Sequence, residues 1–184
     1  MNSTSGLRVI VTGLIAQYPL GGVTWDYLQY LIGLSRLGHE VYYFEDTGEW
    51  PYDPDTGGLA SARQAGRANA RYLANVMKRF GMGNRWAYRV AGEQWHGLGA
   101  PERRSVRDSA DLLINVSGSL ARPADYRVVD RLVYLDSDPV FTQIQLLETG
   151  PDAELHRGGV DAHDVHFRSE ERRVGKEYIV KCRS

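Results

Sequence analysis

The sequence specifies an α/β fold built on a doubly wound, mainly parallel sheet, and three observations predict it. Residues 7–15, LRVIVTGLI, form a nearly unbroken apolar run broken only by Arg8, Thr12 and Gly13, the pattern of a strand covered on both faces. In residues 24–37 the polar positions Asp26, Gln29, Gly33 and Arg36 recur at helical spacing among Tyr27, Leu28, Leu31, Ile32 and Leu34, so a wide apolar face can lie flat on a sheet. Strand-like and helix-like segments then alternate along the chain with no internal repeat, which is the order of stacked βαβ units.

Each element has its own local cause. Gly38 stands just past the last periodic residue of the first helix, where a left-handed glycine ends it. Residues 40–44 resume a β-branched and aromatic run, completing one βαβ unit, right-handed by default. The stretch TGEWPYDPDTGG is dense in Pro, Gly and Asp and reads as loop. Residues 59–80 carry a stripe of Ala62, Ala65, Asn69, Leu73, Val76, Met77 and Phe80, with Arg63, Arg67, Arg71 and Lys78 mostly outside it, a long amphipathic helix stopped by Gly81. Residues 86–90 predict a short strand, AGEQWHGLGAPERR a loop, and residues 102–109 a short helix. DLLINV at 111–116 reads as a buried strand ending in Ser117, Gly118 and Ser119. Residues 131–135 are the next strand, ending in Asp136, Ser137, Asp138 and Pro139; Asp138 can cap the following helix, with Pro139 in its first turn. Residues 160–167 predict a further short strand.

Composition narrows the function classes. The chain has 184 residues, 42% hydrophobic and 24% charged, with a net charge of −1, the balance of one ordinary globular domain. That charge argues against a nucleic-acid binder. No apolar run approaches the ~20 residues of a membrane helix, and MNSTSG lacks the order of a signal peptide, so the cytoplasm is the expected location. The single cysteine, Cys182, excludes an internal disulfide and a Cys-based zinc site. From Arg168 onward, RSEERRVGKE and YIVKCRS carry charge without periodicity. RSEERRVGKE resembles the translated read-through of a widely used sequencing adapter. Residues 168–184 are therefore expected to be non-native, leaving residues 1–167 as the native, mildly acidic domain.

Candidate site residues sit at strand ends, because open α/β sheets bind ligands beyond the carboxyl ends of their strands. Gly21, Gly22 and Thr24 precede or open the first helix, where backbone N–H groups favour an anion. The G-x-G-x-x-G dinucleotide fingerprint is missing after the first strand, although Glu45 or Asp46 stands where a ribose-binding carboxylate would in a nicotinamide oxidoreductase. Asp136 and Asp138 are oxygen ligands suited to Mg or Mn, or else a helix cap and polar contacts in a metal-free cleft. Trp50, Tyr52, Trp86 and Trp95 could stack on a sugar or cover the sheet edge. His39 reads as structural, and His163 and His166 as an improbable metal pair, since an offset of three spans opposite faces of a regular strand.

The order of first strand, Gly-Gly segment, helix and then L-x-x-x-G-H-E-V-x-x-F, carried by Gly21, Gly22, Gly38, His39 and Glu40, resembles the N-terminal Rossmann-like domain of GT-B glycosyltransferases. The resemblance implies two such domains facing each other across a cleft, the first binding the acceptor and the second most of the nucleotide sugar. On that expectation the donor-binding domain would begin after residue 167, the nucleotide sugar is a co-substrate, no cofactor is needed, and this chain is inactive alone. Gly21, Gly22, Thr24, Ser117 and Gly118 would border the cleft. Asp138 or Asp136, and next Asp46, would deprotonate or orient the acceptor hydroxyl. Asp136-Ser137-Asp138 also looks like the D-x-D of metal-dependent GT-A glycosyltransferases, and a non-catalytic Rossmann-like module is a further alternative.

Overall fold

The computed structural model describes residues 6–54, 56–59, 63–91, 94–147 and 159–168. His156, Cys182 and the adapter-like stretch beyond Arg168 lie outside the described residues. The opening unit is β1 (Arg8–Thr12), α1 (Gly21–Arg36) and β2 (Glu40–Glu45). A hairpin of β3 (Tyr52–Asp53) and β4 (Gly58–Leu59) leads to α2 (Arg63–Arg79). Then come β5 (Trp86–Val90), β6 (Gln94–Gly97), α3 (Ala100–Asp108) and β7 (Leu112–Val116). A 3₁₀ turn at Pro123–Tyr126 precedes β8 (Arg131–Asp136), α4 (Pro139–Leu147) and β9 (Val165–Arg168).

The sheet runs β6-β5-β2-β1-β7-β8-β9. Every neighbouring pair is parallel except β5 and β6. The chain winds outward from β1 through β2 to β5, then returns to place β7 on the other side of β1, which is the Rossmann-like doubly wound order. Alternation along β1 sends Val9 and Val11 to one face and Ile10 to the other, all fully buried. One core joins Val9, Val11, Leu28, Leu31, Tyr43, Leu73 and Met77 beneath α1 and α2. The second joins Ile10, Phe44, Val106, Leu113, Tyr126 and Leu132 beneath α3 and the 3₁₀ turn. Among the described residues no helix is long and apolar enough to cross a membrane.

Several boundaries differ from the sequence expectation. The first strand stops at Thr12, three residues short of Ile15. A Cβ on Gly13 would lie 2.4 Å from Cδ1 of Tyr27, so glycine lets the α1 ring close on the strand end while the chain turns off the sheet. Gly21 and Gly22 lie within the first turn of α1 rather than before it, and a Cβ on either would meet nothing within 4 Å. The Pro/Gly-rich stretch is not all loop: Leu59, expected in the second helix, pairs with Tyr52 in the hairpin. β6 replaces part of an expected loop, because the open edge of β5 can pair with a segment too short to show periodicity. The last strand begins at Val165, after a helical turn at 159–161, and carries Arg168 opposite Asp136. Gly38 has φ 90° and ends α1 as expected.

The two kinds of glycine separate experimentally. Gly13→Ala should lower stability in denaturant melts by about 1–3 kcal/mol through overpacking against Tyr27. Gly21→Ala and Gly22→Ala should leave it unchanged or raise it by up to about 1 kcal/mol, as expected for open helical positions.

Candidate functional site

Reversal of winding between β1 and β7 opens a crevice at their carboxyl ends, the place where open α/β sheets take ligands. A cleft of about 890 Å³ lies there, bordered by Tyr18, Glu49, Ser117, Gly118, Asp136 and Asp138. Thus Ser117, Gly118, Asp136 and Asp138 come together as the sequence suggested. Gly21, Gly22, Thr24 and Asp46 do not border it.

The floor comes from β7 and the turn after it. Ser117 takes φ 56° and Gly118 φ 64°, a left-handed pair that turns the chain sharply out of the sheet. For Ser117 that conformation costs about 1–2 kcal/mol. The Ser117 backbone N–H donates to Leu135 O at 2.8 Å, and its hydroxyl shares a 2.5 Å hydrogen bond with that of Ser137. Burial pushes the hydroxyl of Tyr27, on α1, up to about 12. A Cβ on Gly118 would lie 2.9 Å from the Tyr134 hydroxyl, so a side chain here would have to displace the Tyr134 ring. Asp136 ends β8 with its carboxyl buried; burial raises its pKa, against hydrogen bonds from the Thr142 hydroxyl and the Asp138 backbone N–H. Asp138 is exposed at the start of α4. Among the described residues no three His, Cys, Asp or Glu side chains converge to hold a metal ion.

The loop after β1 has its donors occupied internally. Ile15 N–H donates to the Tyr43 hydroxyl at 3.0 Å. Ala16 N–H donates to Glu45 Oε2 at 2.8 Å, and Gln17 N–H to Glu45 Oε1. Tyr18 N–H donates to Leu14 O at 2.9 Å. These four N–H groups therefore have no capacity to cradle a diphosphate. Glu45 is fully buried, and burial pushes its carboxyl up to about 7 despite the Tyr43 hydroxyl and backbone donors that favour its charged form. It is a loop anchor rather than a ribose contact.

Asp46 points to the opposite face. Its carboxylate accepts from Arg89 and, at 2.9 Å, from the Tyr126 hydroxyl, and Arg89 and Asp46 are both buried. That environment gives Asp46 a structural bond set away from the cleft. Thr24 is likewise occupied: its hydroxyl bonds Leu20 O at 2.9 Å and the Tyr72 hydroxyl at 2.7 Å. His39 accepts the Leu7 backbone N–H at 3.1 Å, a structural role as expected. Trp86 is buried, and Trp95 lies 4.3 Å beneath the Arg103 guanidinium.

Sequence reasoning passed over Asn115, whose only signal is an amide inside the apolar strand LLINV. Its Oδ1 accepts the Leu120 N–H at 3.2 Å and faces the hydroxyls of Thr12 at 3.0 Å and Ser119 at 3.3 Å, one of which donates to it while the other donates to its neighbour across 2.7 Å. It also borders the cleft, as do Tyr134 and Thr142, neither of which stands in a recognisable motif.

Fold and cleft together define a Rossmann-like α/β domain with a polar crevice at its topological switch point. No protein-family model, curated protein or solved structure matches the chain.

Arg89→Met should leave Asp46 buried without its countercharge and cost about 3–5 kcal/mol. Tyr126→Phe should remove one hydrogen bond to that charge, about 1.5–3 kcal/mol; urea melts compare the two. For Glu45, the folded protein holds the proton more tightly than the unfolded chain between the ordinary 4.5 and about 7. Its contribution to stability is therefore complete below 4.5 and declines as pH rises towards 7. A ¹³C carboxyl titration of Glu45 with a midpoint near an ordinary glutamate would contradict this.

Proposed function

We propose that this chain forms the acceptor-side wall of a sugar-transfer cleft, the N-terminal half of a GT-B glycosyltransferase. The observation that carries the reading is the cleft itself, about 890 Å³ beyond the ends of β1, β7 and β8, presenting hydroxyl and carboxyl groups from Ser117, Asp136 and Asp138. A polyhydroxylated ligand offers many donors and acceptors of its own, and such a wall meets them with groups of both kinds. Tyr18 adds a ring at the rim, and an aromatic face suits the C–H face of a pyranose. The loop after β1, with its N–H groups bound to Tyr43, Glu45 and Leu14, favours this reading over nicotinamide dinucleotide binding.

In this mechanism Ser117 and the Gly118 turn position the acceptor. Asp136 or Asp138 accepts the proton of the attacking hydroxyl as the sugar is transferred to that oxygen. Desolvation raises the pKa of the buried Asp136 carboxyl and with it its basicity, and proton transfer to it requires the acceptor hydroxyl within hydrogen-bond distance. Donor diphosphate and nucleotide contacts belong to a second domain, so the chain by itself should not turn over a nucleotide sugar.

The test is NMR shift mapping on the ¹⁵N-labelled chain with methyl glucoside as a neutral pyranoside probe. Shifts are expected at Ser117, Gly118 and Asp138, and both Asp136→Asn and Asp138→Asn should weaken binding by about three- to tenfold, the loss of one hydrogen bond. Shifts confined to residues outside the cleft, or unchanged binding in both variants, would overturn the proposal.

A further inference from the structure

Behind the cleft a chain of hydrogen bonds crosses three segments. Thr12 of β1, Asn115 of β7 and Ser119 of the following turn meet at the Asn115 Oδ1 atom, where Thr12 and Ser119 hydroxyls also lie 2.7 Å apart. Asn115 Nδ2 lies 3.0 Å from His163 Nε2, and His163 Nδ1 lies 3.2 Å from Val160 O. Thr12, Asn115, Ser119 and His163 are all buried.

Donor counting allows one assignment. The Leu120 backbone N–H can only donate, and at 3.2 Å it faces Oδ1, so Oδ1 must point towards the turn. Nδ2 then points at His163 and can only donate, which makes Nε2 the acceptor. The proton of a neutral His163 therefore sits on Nδ1, where Val160 O receives it. Protonating Nε2 sets two donors against each other. Flipping the Asn115 amide relieves that contact, but it turns an N–H group on the Leu120 N–H and removes the acceptor that holds the turn.

We propose that His163 is a positioning residue: by accepting the Asn115 amide it holds the cleft-wall turn 117–120 in place near neutral pH, and by gaining a proton it releases that turn in acid. The inference holds whatever ligand the cleft takes, since it concerns the wall and not its occupant.

The surroundings reinforce the direction. His166 of β9 lies 6.2 Å away, ring to ring, and donates from Nε2 to the same Val160 O at 2.9 Å. Tyr134 of β8 meets the His163 ring edge-on at 5.2 Å. Arg127, after the 3₁₀ turn, reaches Ala162 O and the Asp164 carboxylate, each at 3.0 Å; Asp164 also accepts the Leu132 N–H at 2.8 Å. The Asp164 carboxylate is thus engaged by Arg127 and backbone. Burial foremost, with His166 and Arg127 adding to it, lowers the His163 pKa below 6.5. For a histidine lowered on folding, the stabilising effect is complete above 6.5 and is lost as pH falls below it.

The experiment uses the full ¹⁵N-labelled chain, with long-range ¹H–¹⁵N spectra of the imidazoles and hydrogen-exchange protection of the Leu120 amide. At about pH 7.5 His163 should be the neutral Nδ1–H tautomer, and Leu120 protection should fall about tenfold or more by about pH 5. His163→Gln, whose side-chain oxygen accepts from Asn115 without titrating, should keep Leu120 protected across that range, while His166→Gln should retain the wild-type fall. An Nε2–H tautomer at neutral pH, constant protection in the wild type, a persisting fall in His163→Gln, or its loss in His166→Gln would each overturn the proposal. Should His163→Gln not fold, the tautomer and the wild-type and His166→Gln profiles decide it.

Discussion

Two adjacent carboxylates at the end of β2 carry the constraint on which the rest depends. A strand sends successive side chains to opposite faces, so Glu45 and Asp46 are driven into different cores. Neither can be left there alone, because a buried charge without partners is strongly unfavourable. Glu45 therefore gathers the loop after β1 through the N–H groups of Ala16 and Gln17, with Tyr43 completing its bonds. Asp46 gathers Arg89 of β5 and Tyr126 of the 3₁₀ turn, and its carbonyl takes the Ala121 N–H at 2.9 Å. Both rims of the cleft are thus tied to one dipeptide, one rim from each face of the sheet.

The cleft floor adds a second constraint. Ser117 and Gly118 must leave β7 in left-handed conformations, and what holds that costly turn is the bonding around it: Ser137 at the Ser117 hydroxyl, Leu135 at its N–H, and Asn115 at Ser119 and Leu120. Strain of this kind persists only where neighbours over-determine it. It lies beside Asp136 and Asp138, where the proposed sugar transfer needs its acceptor hydroxyl aligned. A wall made from fixed turns, rather than from long mobile side chains, suits that positioning role.

The proposed enzyme reading and the observed packing meet most closely at Asp136. It is buried at a strand end yet borders the cleft, where the Thr142 hydroxyl and the Asp138 N–H favour its charged form against the burial that raises its pKa. Asp46 has the opposite character: buried, paired with Arg89 and turned from the cleft. Two aspartates that look alike as residues following apolar strands are therefore separated by which face and which partners the fold assigns to them.

The periodicities determined much of the fold. Apolar runs at β1, β7 and β8, the α1 stripe and Gly38 at its end were sufficient to specify alternating strands and helices and a doubly wound sheet, because burial on both faces and helix termination are local demands. That Ser117, Gly118, Asp136 and Asp138 stand together at strand ends, where the cleft lies, was legible for the same reason. Only the tertiary structure decided that Glu45 fastens a loop, that Asp46 and Thr24 are bonded elsewhere, that Gly21 and Gly22 are ordinary helical positions, and that Asn115 and His163 stand behind the cleft wall. Each of those outcomes turns on a hydrogen-bond partner or a counter-ion remote along the chain, and a side chain's chemistry is set by the partners that burial brings to it, which no local pattern records.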